Sequence, residues 1–156
     1  MLLKAEFDLN DFRSWRMHGG IETMTSFGVI QLRDIDMKYK DWIRNLPHYL
    51  EVDEYILVHA GFKFDMPNPF DEKESMLWER YWYTRINKAW LGDRIIIHGH
   101  TPMKAIDIKA HAALMHKTSY LGIDNGCVFD REGMRHLVAF EMNSRKLIFQ
   151  ECLDKN

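Results

Sequence analysis

Cysteine is scarce in this chain: of 156 residues only Cys127 and Cys152 are cysteines, and they do not form a C-x-x-C pair. Two cysteines cannot build the disulfide framework of a small secreted domain, and their spacing gives no sign of a zinc or redox pair. We therefore expect the protein to work in a reducing compartment, the cytoplasm.

Net charge and long apolar runs are also nearly absent. The chain has 21 Lys and Arg against 23 Asp and Glu, a formal net charge of −2, so it has no sequence-wide attraction to nucleic acid or anionic lipid. No apolar run approaches the ~20 residues of a membrane-spanning helix. The amino-terminal apolar stretch is too short for a signal peptide. Aromatic residues do not alternate with Lys and Arg along any strand pattern, so a single-strand nucleic-acid platform is not expected. We predict no nucleic-acid partner and no membrane partner.

The patterns that are present run from helices to strands, within a length typical of one domain. Segments 8–16 and 21–28 predict short helices, and 35–47 predicts the clearest one, ended by Pro47. Its apolar stripe consists of Ile35, Tyr39, Trp42, Ile43 and Leu46.

Two short apolar runs, 55–62 and 93–102, predict strands buried on both faces. Between them we expect a loop at 63–70 and then a helical turn followed by irregular chain. The tail predicts further sheet, with a hairpin turn at Asn143-Ser144. The tryptophans Trp42, Trp78, Trp82 and Trp90 are interpreted as packing residues.

Both predicted buried strands end in histidine next to glycine: His59 in V-H-A-G, and His98 and His100 in H-G-H-T-P. Ligands bind at the carboxyl ends of strands in open α/β sheets, so two imidazoles are expected to converge there. Neutral imidazole is a common ligand of Zn, Mn and Fe, and glycine lets the backbone come close. Either motif alone is more typical of a histidine that caps a carbonyl or faces water, whereas the pair favours metal coordination.

Arg80 lies between the two histidine strands, in the aromatic segment L-W-E-R-Y-W. A guanidinium held by packing is a fork suited to phosphate. The alternative is an ordinary surface ion pair with Glu74 or Glu79.

Five segments together resemble successive motifs of the calcineurin-like metallophosphoesterases, in order and over nearly the whole chain. They are WRMHGGIETMTSFG (15–28), YILVHAGF (55–62), LWER (77–80), IIHGHTP (96–102) and LGIDNGCVF (121–129). Within that family they are most similar to the bacterial and phage branch of the serine/threonine phosphoprotein phosphatases. They also resemble the symmetrical diadenosine tetraphosphatases.

The resemblance implies metal-dependent hydrolysis of phosphate esters on proteins or small molecules, or of phosphoanhydrides, at a centre of two divalent ions (Mn, Fe or Zn). It places His59 and His100 as ligands of the second metal, and Arg80 on the substrate phosphate. His98 matches no ligand of the family and is expected to be structural, and His18 has no role to transfer. No residue of this chain is assigned as catalytic.

The family motifs G-D-x-H-G, G-D-x-x-D-R-G and G-N-H-E, which supply the remaining ligands and a proton donor, do not occur in this sequence. The resemblance therefore implies that residues 1–156 are a single partial domain. It would be the carboxyl-terminal half of an α/β metallophosphoesterase β-sandwich flanked by helices, with helices first and a mixed sheet after.

A two-metal site needs bridging and terminal oxygen ligands, so two histidines alone should bind metal weakly or not at all. The chain by itself is then expected to be inactive. Half of a core would expose apolar surface and a strand edge, which recruit a second copy or the missing amino-terminal half. The alternative is a non-catalytic module that oligomerises or binds a partner.

Overall fold

The structure, a computed structural model, describes residues 1–153. Contacts divide the chain into two compact units, Met1–Pro47 and His48–Asn156, which are described separately below. The first unit is helical, and the second carries the sheets.

The first unit consists of short helices joined by tight turns. Asp8 caps the second of them by accepting hydrogen bonds from the backbone N–H groups of Asn10 and Asp11. The two predicted short helices are confirmed. The elements are α1 (Leu2–Ala5), α2 (Leu9–Trp15), a distorted turn at Arg16–Gly20, α3 (Ile21–Ser26), a single 3₁₀ turn at Leu32–Asp34 and α4 (Met37–Asn45).

Helix α4 is present as predicted, but its buried face is not the predicted one. The prediction for Trp42 is wrong, because its side chain is 64% exposed. Lys40 is buried instead, and its Nζ donates to Glu6 Oε1 at 2.6 Å and to the carbonyl of Arg33. The apolar cluster of the unit is built from other elements, so α4 contributes an ion pair rather than an apolar stripe. That cluster consists of Ala5, Trp15, Met24, Leu32 and Ile35.

The second unit is built on a four-stranded mixed sheet in the order β1-β2-β3-β4. Strand β1 (Tyr49–Val52) pairs antiparallel with β2 (Tyr55–Val58). Strands β2, β3 (Ile95–His98) and β4 (Tyr120–Gly122) run parallel. The prediction of a mixed sheet in an α/β chain is confirmed, as are β2 and β3.

The helices of the second unit are α5 (Lys73–Trp78), α6 (Lys88–Leu91) and α7 (Ala105–Thr118), with 3₁₀ turns at Pro69–Asp71 and Trp82–Arg85. Neither β1 nor α7 is among the predicted elements. The order of helices first and sheet after is wrong in this unit, because α7 lies between β3 and β4. Parallel neighbours cannot be joined by a tight turn and need a crossover of about a dozen residues or more, which α7 supplies.

Both faces of the sheet are buried at β2 and β3, as their continuous apolar runs predict, whereas β1 is largely exposed. A small antiparallel pair, β5 (His136–Glu141) and β6 (Lys146–Glu151), follows with its turn at the predicted place. Phe140 of β5 packs edge-on against Tyr55 of β2, with ring centroids 5.8 Å apart. Within residues 1–153 no helix is long and apolar enough to cross a membrane.

The two faces of the four-stranded sheet have separate apolar clusters. One consists of Ile56, Val58, Phe62, Phe64, Met76, Trp82, Leu91 and Ile96, and the other of Tyr55, Ile95, Ile97, Met115 and Leu121.

A candidate metal and phosphate site at the strand ends

The site is built where β2 and β3 end side by side. These strands are parallel neighbours with Val58 paired to His98, so the chain leaves both of them at the same edge of the sheet. Just beyond this pair, the N–H of Gly99 donates to the carbonyl of His59 at 2.9 Å. The two strand ends are therefore joined by the backbone at the point where the histidines begin.

The imidazoles of His59 and His100 meet at this edge. His59 Nε2 and His100 Nδ1 are 3.1 Å apart, and the ring centroids are 4.8 Å apart. His59 is exposed and His100 is half-buried, so the pair is accessible to a ligand. The structure thus brings together the two histidines that the sequence places at neighbouring strand ends.

A strained turn aims His100 at His59. His100 has φ +64°, in the left-handed region that non-glycine residues rarely adopt, and the N–H of Thr101 donates to the carbonyl of Gly99 at 2.7 Å. Such a backbone conformation costs on the order of 1 kcal/mol and persists only where its surroundings impose it. The two rings therefore meet across a strained turn.

The end of β2 is fixed by close packing after His59. The indole N–H of Trp82 donates to the carbonyl of Ala60 at 3.0 Å, and the N–H of Ala60 donates to the carbonyl of Met76 in α5. A Cβ at Gly61 would lie 1.9 Å from Trp82 Nε1, so only glycine lets the indole come this close. The glycine of the A-G pair that follows His59 is therefore required by the packing of Trp82.

Arg80 follows α5, and its side chain is exposed. Glu79 pairs with Arg85 at 2.8 Å, and among residues 1–153 no ion pair involves Arg80. The alternative of a surface ion pair with Glu79 or Glu74 is thus not found. The guanidinium nevertheless lies close enough to His100 to lower the pKa of that imidazole.

Several groups set the charge of His100. Burial lowers its pKa most, and electrostatic repulsion from Arg80 and His59 lowers it further, while the Trp78 backbone and Asp124 oppose them. The neutral imidazole is therefore favoured at neutral pH. This is the form that coordinates metal ions.

Asp124, which follows the third parallel strand β4, is not among the residues predicted from the sequence. Its Cβ lies 3.9 Å from the position that a Cβ on Gly99 would take, and its Oδ1 accepts a hydrogen bond from the N–H of Gly126. Its negative charge acts on both His98 and His100. The strand-end rule that selected the histidines also applies to the segment I-D-N-G, and could have found this carboxylate.

Trp78 is the second residue at this edge that sequence reasoning assigned differently. It is interpreted as a packing residue, but its side chain is 51% exposed. Its ring lies edge-on to that of His100, with centroids 5.8 Å apart. Trp82 is fully buried and Trp90 is half-buried, as predicted.

The other two histidines of the motifs lie elsewhere. His98, the last residue of β3, is 1% exposed and packs against Trp82 and Tyr83. Burial lowers its pKa to about 4. His18 belongs to the first unit, where its Nδ1 lies 2.7 Å from the carbonyl oxygen of Ser14.

The imidazole pair fits two positions around a metal ion. Two nitrogens bound to one tetrahedral Zn²⁺ at about 2.0–2.1 Å are about 3.3 Å apart, close to the 3.1 Å observed between His59 Nε2 and His100 Nδ1. A hydrogen bond between the rings gives the same distance. Among the residues that the structure describes, no group of three or more His, Cys, Asp or Glu side chains is arranged to hold a metal ion. The pair thus offers two nitrogens, fewer than the three protein ligands that a catalytic zinc site usually has.

Comparisons with protein-family models, with curated proteins and with solved structures found no match to this chain. The resemblance to the metallophosphoesterases therefore stays a prediction from the motifs quoted above.

Proposed function

We propose that this chain supplies part of the active site of a metal-dependent phosphoesterase of the serine/threonine protein phosphatase type. The observation that carries the proposal is the 3.1 Å approach of His59 Nε2 to His100 Nδ1, beside an arginine that has no ion pair among the described residues. Two neutral nitrogen ligands and one cationic fork are the groups that a divalent ion and a phosphate require.

Each residue has a distinct role in this proposal. His59 and His100 hold one divalent ion, which when bound polarises a phosphoryl oxygen. Arg80 binds the phosphate through its forked N–H groups and offsets the negative charge that develops during hydrolysis. Because Glu79 is engaged by Arg85, the guanidinium of Arg80 does not have to leave a protein carboxylate before it binds phosphate.

The proposal also requires ligands that the described residues do not provide. Catalytic zinc sites usually have three protein ligands, and a two-metal centre needs bridging oxygens in addition. We infer that these ligands come from another segment or another chain, so the 156 residues alone bind metal weakly and do not hydrolyse phosphate esters. Protein phosphoesters are the proposed substrates, and dinucleoside polyphosphates are the alternative.

A second candidate function is a non-catalytic module that pairs with another chain. The observation in its favour is apolar surface on the β5–β6 pair, where Leu137 is 65% exposed and Ile148 is 57% exposed. These two side chains lie on the same face of the pair, since Ala139 is opposite Ile148 in the ladder. The partner would be a second copy of this chain or the missing half of the site.

A phosphate titration tests the role of Arg80. With inorganic phosphate added to the labelled chain, the arginine Nε–Hε resonance of Arg80 should shift before that of Arg85, whose guanidinium is paired with Glu79. The Arg80→Gln variant should lose the response, and Arg85→Gln should keep it. Equal responses of both arginines would contradict a phosphate site at Arg80.

A hydrolysis assay tests whether the chain alone has too few metal ligands to be active. The purified chain with Mn²⁺ should show no turnover of para-nitrophenyl phosphate above that of the His59→Ala variant. Robust hydrolysis that disappears in His59→Ala would show that the chain carries a complete site, against this proposal.

A further inference from the structure

A cluster of buried polar groups lies directly behind the turn that carries His100. In residues 1–153, five buried side-chain polar atoms have no hydrogen-bond partner in the protein, and four of them belong to this region. They are the hydroxyl of Tyr83, Nε2 of His98, the hydroxyl of Thr101 and Nδ1 of His111, and we call these four residues the buried polar cluster.

Ring contacts place three of the four residues around one side chain, Tyr120. Tyr83 stacks on Tyr120 with centroids 4.8 Å apart, His111 meets it edge-on at 5.3 Å, and His98 lies 6.2 Å away. The hydroxyl of Thr101 lies near that of Tyr83, where it offsets part of the rise in pKa that burial causes for Tyr83. The cluster therefore joins the end of β3, the turn after it, the chain after α5 and the helix α7.

The hydrogen-bonding roles within the cluster follow from the backbone. His98 Nδ1 lies 3.0 Å from the carbonyl oxygen of Gly99, and a carbonyl can only accept, so Nδ1 carries the proton. Nε2 of the neutral ring then presents a lone pair to the cluster and needs a donor. The hydroxyls of Tyr83 and Thr101 can each donate or accept; they lie close enough for Thr101 to lower the pKa of Tyr83, but neither makes a hydrogen bond of good geometry to the protein.

Water is the ligand whose chemistry fits this set. Buried polar groups in folded proteins are almost always paired, and those without a protein partner are commonly bridged by ordered water that makes about three hydrogen bonds. A water molecule can donate to Nε2 and still bond two hydroxyls. A divalent ion is disfavoured, because no group of three or more His, Cys, Asp or Glu side chains suited to a metal occurs in the part of the chain that the structure describes.

We propose that the buried polar cluster is a binding site for an ordered water molecule, which donates a hydrogen bond to His98 Nε2 and bridges it to Tyr83 or Thr101. A bridge from His98 to Thr101 joins residues on either side of His100, and there the water supports the left-handed turn that directs that imidazole toward His59. This inference does not depend on the proposed phosphoesterase function.

A crystal structure of the full chain, at a resolution that shows ordered water, tests the proposal. It should show a solvent peak within hydrogen-bonding distance, about 2.7–3.2 Å, of His98 Nε2 and of at least one hydroxyl of the cluster. Electron density without such a peak, or a direct hydrogen bond from a protein group to His98 Nε2, would overturn the proposal.

Solution NMR supplies a second test that does not require crystals. The ring protons of His98 should show a cross-relaxation signal with a long-lived water, and this signal should be lost in Tyr83→Phe/Thr101→Val. Tyr120→Phe is the matched control, since the hydroxyl of Tyr120 is not among the buried unpaired atoms, and it should keep the signal. If the double variant does not fold, Thr101→Val alone should weaken the signal. A signal unchanged in every variant, or absent from the wild-type chain, would contradict the proposal.

Discussion

At the scale of single residues, His98 and His100 are two positions apart and have different environments. His98 is buried among aromatic rings at the end of β3, whereas His100 is half-buried in a strained turn beside His59 and Arg80. Their closeness in sequence does not predict this difference in burial. Alternation along β3 turns His98 toward the core, and the left-handed backbone at residue 100 then re-aims the next imidazole to the edge of the sheet.

The burial of His98 predicts that acid destabilises the protein in a definite pH window. Its pKa falls from 6.5 to about 4 on folding, so between these values the unfolded chain binds a proton that the folded chain excludes. The contribution of His98 to the free energy of unfolding is therefore fully present above pH 6.5 and is lost as the pH falls toward 4. The total loss is about 3 kcal/mol, because each tenfold difference in proton affinity between the two states corresponds to about 1.4 kcal/mol.

Urea unfolding between pH 7.5 and pH 4, in wild type and in His98→Leu, checks this prediction. His111, Asp124 and His100 are the titratable groups that act on His98, and all of them remain in the variant. The pH dependence of the unfolding free energy should be smaller in His98→Leu by about 3 kcal/mol over the window. Parallel curves for the two proteins would contradict the assignment.

At the scale of elements, the apolar runs predict β2 and β3 well because buried parallel strands are continuously apolar. The same rule misses β1, whose residues alternate less clearly, and α7, whose sequence AIDIKAHAALMHKT has no strong apolar period. Helix α7 exists because β3 and β4 are parallel and need a crossover, a constraint that only the sheet topology reveals. Likewise, Lys40 is buried through an ion pair with Glu6, 34 residues away, which no local pattern contains.

The packing between the end of β2 and Trp82 predicts that one methyl group added at residue 61 lowers the free energy of unfolding substantially. In Gly61→Ala the new Cβ would lie 1.9 Å from Trp82 Nε1, so the indole must move and lose its hydrogen bond to Ala60. We expect a loss of about 3 kcal/mol in the free energy of unfolding.

Gly99→Ala is the matched control at the neighbouring strand end. There the nearest atom to the new Cβ, the carbonyl oxygen of His59, is 3.6 Å away, an ordinary contact. Chemical denaturation should therefore show a change below about 1 kcal/mol for this variant. Similar losses in the two variants would show that the Trp82 contact is not what makes Gly61 necessary.

At the scale of the whole molecule, the sequence motifs select two histidines and an arginine that lie close together, whereas their role in a metal and phosphate site stays a prediction. Two strand ends and one loop of the second unit bring His59, His100 and Arg80 to one edge of the sheet. No third ligating side chain among residues 1–153 joins the pair. The proposed phosphoesterase would therefore need further ligands from another segment or chain.

The exposed apolar face of the β5–β6 pair predicts association of this chain with itself. Light scattering after size-exclusion chromatography should show a mass that rises with protein concentration. Leu137→Lys/Ile148→Lys, at two exposed positions, should shift the chain to the monomer without a loss of secondary structure, because neither side chain is buried. A wild-type monomer at all concentrations would contradict this prediction.

The most direct test of the central claim is paramagnetic broadening of the histidine side-chain resonances by substoichiometric Mn²⁺. The chain contains 8 histidines, so six of them serve as internal controls. If His59 and His100 share a metal position, their ring signals should broaden together and first, and His59→Ala should abolish the selective broadening of His100. Broadening that follows solvent exposure alone, with His116 affected as much as the pair, would contradict the proposed site.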